Sequence, residues 1–407
     1  MPGSTSPSPP SLLRRSPGFA RLAAAEVVSP LGDAMGTVAL VLHLQRVEGT
    51  GTAVATVLVA ESLPPLLSPW LGALADRFAG RRLLVVCSSA QALVVVALAV
   101  WLPGVVGLFG LALVRATFAT LAAPAVGAAV PSLVDDDDLT AANSLLGGGR
   151  ELGTIFGPAL AGLLFAWVGV RWVLAVDAVT FLLTVPLFLA LPLVRSSPTE
   201  DEPAPSTVRS EALAGMRELW RAPVPRALAI GFWLTVLASA SDDLILVFLA
   251  SESLGAGPAG AGVLLAAPSV GLVVGLLALA RWGRGIRPLT AVLVGFALNA
   301  LGNLTTAGAP VLAAAFATQA VRGGGIALME AHVRTFVQRN VPRAMLGRVL
   351  ANLYGGVGVA AAAGYVIGGP LLDATSPRTM FVGIGVAGLV TSAVAALLVR
   401  GSDEGAP

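Results

Sequence analysis

The sequence contains no lysine, one cysteine and two histidines in 407 residues, and charged side chains make up only 12% of it. Each shortage excludes something. Cys87 alone can form neither an internal disulfide nor a cysteine metal cluster. His43 and His332 are too few and too far apart in sequence for a zinc or His-based catalytic site, so no catalytic residue and no metal ligand is assigned. A P-loop needs its lysine to reach the phosphates, so an ATP-driven reaction would need a second chain, and no cofactor is expected. All 25 basic residues are arginines, and the pI is about 9.3. They are spread through short segments and not gathered into a patch, which argues against nucleic acid as a partner.

Against that scarcity stands an abundance of apolar residues, 56% of the chain. A hydrocarbon core ~30 Å thick needs roughly 20 apolar residues per helix. The runs 83–102, 108–130, 155–194, 263–280 and 380–399 meet this, so the lipid bilayer is the first expected partner. The pattern predicts an all-α polytopic membrane protein of about twelve spans. They fall near 18–44, 52–75, 83–101, 105–130, 141–168, 171–194, 224–250, 257–280, 289–307, 310–336, 347–371 and 378–399. The span 289–307 is the weakest, because it holds Asn299, Asn303 and two threonines.

The longest polar gap divides the spans into two sets of six. The expected segments are a disordered tail (1–17), a first half (18–194), a linker (195–223), a second half (224–399) and a short tail (400–407). The linker opens with a Pro- and acid-rich stretch typical of disorder. Residues 210–221 then read as an interfacial helix with Leu213, Met216 and Trp220 on one face. With the N-terminus inside, 19 arginines fall in or beside inner segments, and Arg46, Arg171 and Arg378 in outer loops. That bias predicts two cytoplasmic termini. Arg115 and Arg322 lie inside fourth-position spans, 207 residues apart. "AAN" (141–143) and "LAN" (350–352), Gly157-Pro158 and Gly369-Pro370, and "VRWVL" and "PRTMF" recur at 207 to 212 residues. A nearly constant offset points to duplicated halves, an architecture of transporters.

Several stretches carry a resemblance. "GALADRFAGRR" holds Gly72, Asp76, Arg77, Gly80, Arg81 and Arg82, and resembles the loop between the second and third helices of the major facilitator superfamily, with one extra residue before Gly80. "GTIFGPALAG" (153–162), with Gly153, Gly157, Pro158 and Gly162, is similar to the fifth-helix pattern of that family's antiporters. "FARLAAAEVVSPLGDAMGTVAL", "VPSLVDDDDLTAANSL" and "VQRNVPRAMLGRV" resemble its drug, macrolide and siderophore exporter branch. The resemblance implies a monomeric secondary transporter of the bacterial plasma membrane. It would export a small organic molecule by proton antiport, driven by the proton gradient, with two halves alternating access around a cavity. An importer or uncoupled facilitator of the same fold is the alternative, and a polytopic enzyme or sensor is the remote one.

An ionisable residue at bilayer depth is a functional candidate by default. Glu26 and Asp33 are seven residues apart, so they share a helix face. Moving a carboxylate between an apolar environment and one beside an arginine changes its proton affinity, which is how such a group could bind and release a proton. Arg115 resembles the arginine of the family's fourth-helix motif, with Glu61 or Asp33 as expected partners. Arg322 is its counterpart in the second half, and Glu330 lies two turns further along the same helix. Asp242 and Asp243 are adjacent, so they cannot both face one cavity. Asp177 reads as a packing carboxylate. Phe118, Phe156, Phe232, Trp233 and Phe336 are candidates to line or pack a mostly apolar cavity. In the antiporters that it resembles, the segment with the fifth-helix glycines and Pro158 packs between the halves, which implies a gate-packing role here. Asp76 reads as a cytoplasmic latch that pairs with an arginine of its own loop and faces the start of the eleventh span near Arg348.

Overall fold

The computed structural model describes residues 9–75, 77–192, 208–221, 223–283, 285–342 and 345–403 and, of these, the side chains at 12–75, 77–192, 213–221, 224–283, 285–342 and 345–397. Helix is the only regular structure among the described residues. In hydrocarbon every backbone N–H and C=O must find its partner within the protein, and a helix does this locally. Among the described residues eleven helices are long and apolar enough to cross a membrane, and a bent pair counts as a twelfth if it forms one span. The helices are α1 (Pro9–Arg15), α2 (Pro17–Val47), α3 (Gly51–Leu66), α4 (Ser68–Ala75), α5 (Gly80–Trp101), α6 (Val105–Ala129), α7 (Leu139–Val168) and α8 (Val170–Leu189). They continue as α9 (Val208–Arg221), α10 (Pro223–Ser239), α11 (Asp242–Phe248), α12 (Gly257–Trp282), α13 (Pro288–Ala307), α14 (Leu312–Asn340), α15 (Leu346–Asp373) and α16 (Pro377–Asp403).

The chain forms two compact units. The first is Met1–His43 with Ala60–Glu200, and the second is Leu44–Val59 with Asp201–Pro407. The core of the first unit gathers Phe19, Leu22, Leu84, Cys87, Leu146 and Phe188. Leu12 joins it at 2% exposure, which corrects the reading of a disordered tail for residues 9–17; residues 1–8 lie outside the described residues. Pro9 and Pro10 sit in the first turn of α1, where a missing N–H costs nothing. Ser16 Oγ then ties the segment down by donating to the Leu133 carbonyl at 2.7 Å.

The second span is broken, not continuous over 52–75: α3 and α4 meet at 59°. Pro64 and Pro65 lack the N–H groups that would reach back to the carbonyls of Ala60 and Glu61, so the ladder fails there. Glu61 therefore sits in the last turns before a bend. The seventh span is interrupted too, at a turn over residues 240–241 between α10 and α11. Ser241 there donates to the Gly364 carbonyl at 2.7 Å.

In the second unit, Phe232, Phe296, Val333 and Leu353 form the core. The amphipathic α9 packs on α15 through Gly215 and Leu219. Leu213 and Trp220 stay exposed, and Met216 is partly buried. The face that docks is thus set by Gly215, whose missing side chain admits the Arg348 carbonyl and Asn352.

A candidate ion-coupling site and its family

Arg115 lies in the middle of α6 and is 5% exposed. Its guanidinium collects acids from three other helices. Nη1 stands 2.7 Å from Asp33 Oδ1 of α2, and Nη2 pairs with Glu61 of α3. Thr37, one turn along α2 from Asp33, accepts from Nη2 at 2.8 Å, and its own hydroxyl donates to Glu61. A third carboxylate, Asp177 of α8, approaches Nη1 at 4.0 Å. The cluster sets one positive charge against three acids. Asp33 and Glu61 remain partly open, with 33% and 23% of their side-chain surface exposed. Arg115 Nε has no hydrogen-bond partner among the described residues. An open acid on a buried arginine can exchange that arginine for a proton or a cationic ligand, which a sealed pair cannot do.

Small residues set this geometry. Gly32 and Gly36 of α2 face Asp177, and a Cβ on Gly32 would stand 2.8 Å from Asp177 Oδ1. On another face α2 meets α7. A Cβ on Gly149 would lie 2.8 Å from Val27, one on Gly153 2.8 Å from the Pro30 carbonyl carbon, and one on Gly157 2.5 Å from Ala34. Residues every four positions form one stripe, and missing side chains let two helices approach closely. Gly153 and Gly157 pack on α2 within the first unit, where they fix the helix that carries Asp33 and Thr37. Pro158 and Gly162 are buried on the same helix.

Glu26 shares the helix of Asp33 but not its site. It pairs with Arg150 of α7 at 2.5 Å and is 8% exposed. In the loop segment, Arg77 and Arg82 are exposed, and Arg81 donates to the Leu191 carbonyl at 3.2 Å. Gly72 and Gly80 have open space where a side chain would go. Asp76 lies outside the described residues, and so do Arg284 and Arg343.

The second unit buries a different kind of cluster. Arg322 of α14 uses all three guanidinium nitrogens: Nη2 on Asp242 at 2.8 Å, Nε on Asn299 at 3.0 Å and Nη1 on Gln319 at 3.2 Å. Asn303 donates to Asp242 at 3.0 Å, and Gln319 donates to Asn303 and Thr306. Asn299 and Asn303 made 289–307 look like a poor span. They are buried, and their polarity is spent on this network. Asp242 is 1% exposed, while Asp243 turns outward. Glu330 is exposed two turns beyond Arg322 and outside its hydrogen bonds. Of the aromatic candidates, Phe232 sits in the core edge-on to Tyr354. Trp233 stacks at a tilt on Trp220 and donates to the Leu353 carbonyl at 2.8 Å. Phe336 and Phe118 pack against their units' cores, and Phe156 is exposed.

Helices of membrane-crossing length among the described residues, with a buried arginine and its acids set between them, fit the class of multi-pass membrane transporters. The chain belongs to the major facilitator superfamily: residues 8–403 match its transmembrane secretion effector family. It is similar to the MFS-type transporter YfiS of Bacillus subtilis (strain 168), at 26% identity over 378 residues, covering 89% of this chain and 88% of that one. It is also similar to the enterobactin exporter EntS of Shigella boydii serotype 18, at 30% identity over 252 residues. That match takes in 61% of this chain, which spans 58% of the exporter's length. Among solved structures, the nucleoside transporter NupG shares the fold at a TM-score of 0.74 and 13% identity, over 94% of this chain and 99% of that one. The chain is a membrane transporter and not an enzyme.

Proposed function

We propose that this transporter exports a small organic molecule across the bacterial plasma membrane in exchange for protons, by alternating access, as a monomer with both termini in the cytoplasm. The observation that carries the reading is the Arg115 cluster, in which Asp33 and Glu61 share one guanidinium and both stay partly open. Protonating either acid releases part of the arginine's charge for the other or for a ligand. The proton gradient supplies the drive, and no cofactor or metal takes part. The arginine bias toward segments on one side supports the orientation. Export as the direction is supported by the similarity to an exporter. The buried arginines, Arg115 and Arg322, are paired with acids of their own units, which favours a neutral or amphiphilic cargo over a multiply charged one.

The test is efflux from proteoliposomes loaded with candidate compounds under an imposed pH gradient. Uphill efflux is expected with the gradient and not without it. Asp33→Asn and Arg115→Ala are expected to abolish it. Uphill efflux without a proton gradient, or intact pH-driven efflux in both variants, overturns the reading and leaves a facilitator or importer of the same fold.

A further inference from the structure

Asp177 is the most deeply buried acid of the first unit, at 0% exposure, and neither carboxyl oxygen has a hydrogen-bond partner among the described residues. On its own helix the Thr180 hydroxyl lies beside the carboxyl group and donates to the Asp177 backbone carbonyl at 2.7 Å. The slot it occupies is made by Gly32 and Gly36, where any larger residue on α2 would strike the carboxyl group. The charged groups that reach it are Arg115 from α6, Asp33 from α2 and Glu61 from α3. A buried carboxylate without hydrogen bonds is costly, and a sequence of this kind meets that cost by holding a proton or by pairing. Three ionised acids on one arginine would leave two uncompensated charges at bilayer depth.

We propose that Asp177 is the second seat of the Arg115 guanidinium, and that it carries the proton while the guanidinium sits on Asp33. The same nitrogen, Nη1, contacts both acids: 2.7 Å from Asp33 Oδ1 and 4.0 Å from Asp177 Oδ2. The gap between those distances is all that Nη1 has to cross. In the first state the guanidinium has the position seen here, on Asp33, and in this proposal the negative charge lies on Asp33 and the proton on Asp177. In the second, the O–H bond of Asp177 has broken, a proton is bound at Asp33, and Nη1 has moved onto the Asp177 carboxylate. The transfer conserves the cluster's one proton, and Glu61 keeps Nη2 in both states. Asp33, the open member, is then the acid from which the proton passes to water and to which one returns, while Asp177, the sealed one, holds the guanidinium. This inference rests on the proton-coupling reading above and names a residue that reading does not need.

The experiment is infrared spectroscopy of the full chain in liposomes, read at the stretching band of protonated carboxyl groups. The wild type is expected to show such a band, and Asp177→Asn to lose it together with pH-driven efflux. Asp33→Asn should also lose the band, because the guanidinium then settles on Asp177 and ionises it. That second variant keeps residue 177 intact, so the conclusion stands even if Asp177→Asn folds poorly. A band that survives in Asp33→Asn, a wild type without one, or pH-driven efflux retained in Asp177→Asn overturns the proposal. The two readings fail separately. Efflux indifferent to pH in the wild type sinks proton coupling, whereas the infrared bands are recorded without any transport.

Discussion

Removing one acid from each arginine cluster should have opposite consequences. Asp242→Asn takes from Arg322 the one acid that forms a salt bridge with it among the described residues; the Arg322 side chain is 9% exposed against 1% for Asp242. The new amide can still accept one hydrogen bond, but the guanidinium charge has lost its counter-ion. Breaking a buried pair by removing one partner costs about 3–5 kcal/mol. The neighbours Asn299 and Gln319 offer only neutral oxygens in return. Asp33→Asn removes an acid from a cluster that has a surplus of them, and Arg115 keeps Glu61 and Thr37 on Nη2 and gains Asp177. Its cost is limited to a charge-assisted hydrogen bond, about 1.5–3 kcal/mol, and is offset by relief among the acids. Unfolding of the two variants in detergent, followed by tryptophan fluorescence, compares them directly. Asp242→Asn is expected to unfold at clearly lower denaturant than Asp33→Asn, while Asp33→Asn alone loses pH-driven efflux from a stable fold. Equal destabilisation, or a stable Asp242→Asn beside a collapsed Asp33→Asn, refutes the distinction between a saturated and an oversupplied arginine.

Three further outcomes follow from the packing. Gly153→Val drives a side chain into the Pro30 carbonyl, which as backbone cannot rotate away. A loss of about 1–3 kcal/mol is expected in a thermal melt, whereas Gly127→Ala, with open space around it, should be neutral or slightly stabilising. Thr37→Val deletes the hydroxyl that links Arg115 to Glu61; pH-driven efflux should weaken in proteoliposomes while the melt shifts by only about 1–2 kcal/mol. Asp373 accepts from the Gly51 and Thr52 backbone N–H groups and from the Thr52 hydroxyl at the start of α3. Asp373→Ala removes that cap, worth about 1 kcal/mol, and should speed hydrogen exchange at residues 51–55 as read by mass spectrometry.

The crossings were legible because apolar runs of the right length have few other uses, and helix is what a chain does in lipid. The break in the second span was legible in principle, since Pro64 and Pro65 stand together, but its length read as one continuous helix. The partners of Arg115 could be named from sequence because Asp33 and Glu61 are the acids of neighbouring spans. The role of Asn299 and Asn303 could not, because it depends on α14 presenting Arg322 to α13, which no local pattern encodes. Asp177 was passed over for a similar reason. A lone acid in an apolar span looks like a packing group until Gly32 and Gly36 are seen to hold it against the arginine. The only local hint was those two small residues, one helical turn apart on the helix that bears Asp33.

The repeat between the halves preserved one arginine in each and then treated the two differently. Arg322 is closed off by one acid and a shell of amides, so every nitrogen is used. Arg115 is left with a free Nε and more acids than it can satisfy. A saturated pair has one low-energy arrangement and therefore holds helices in place. An oversupplied arginine has several, and which one prevails depends on where a proton sits. If coupling resides anywhere in this chain, charge counting puts it in the first unit. The buried network of the second unit then serves as the fixed frame. Restoring symmetry by replacing Glu61 and Asp177 together with their amides should leave a stable transporter whose efflux no longer responds to the proton gradient. Efflux that still follows the gradient in that double variant would place coupling elsewhere in the chain.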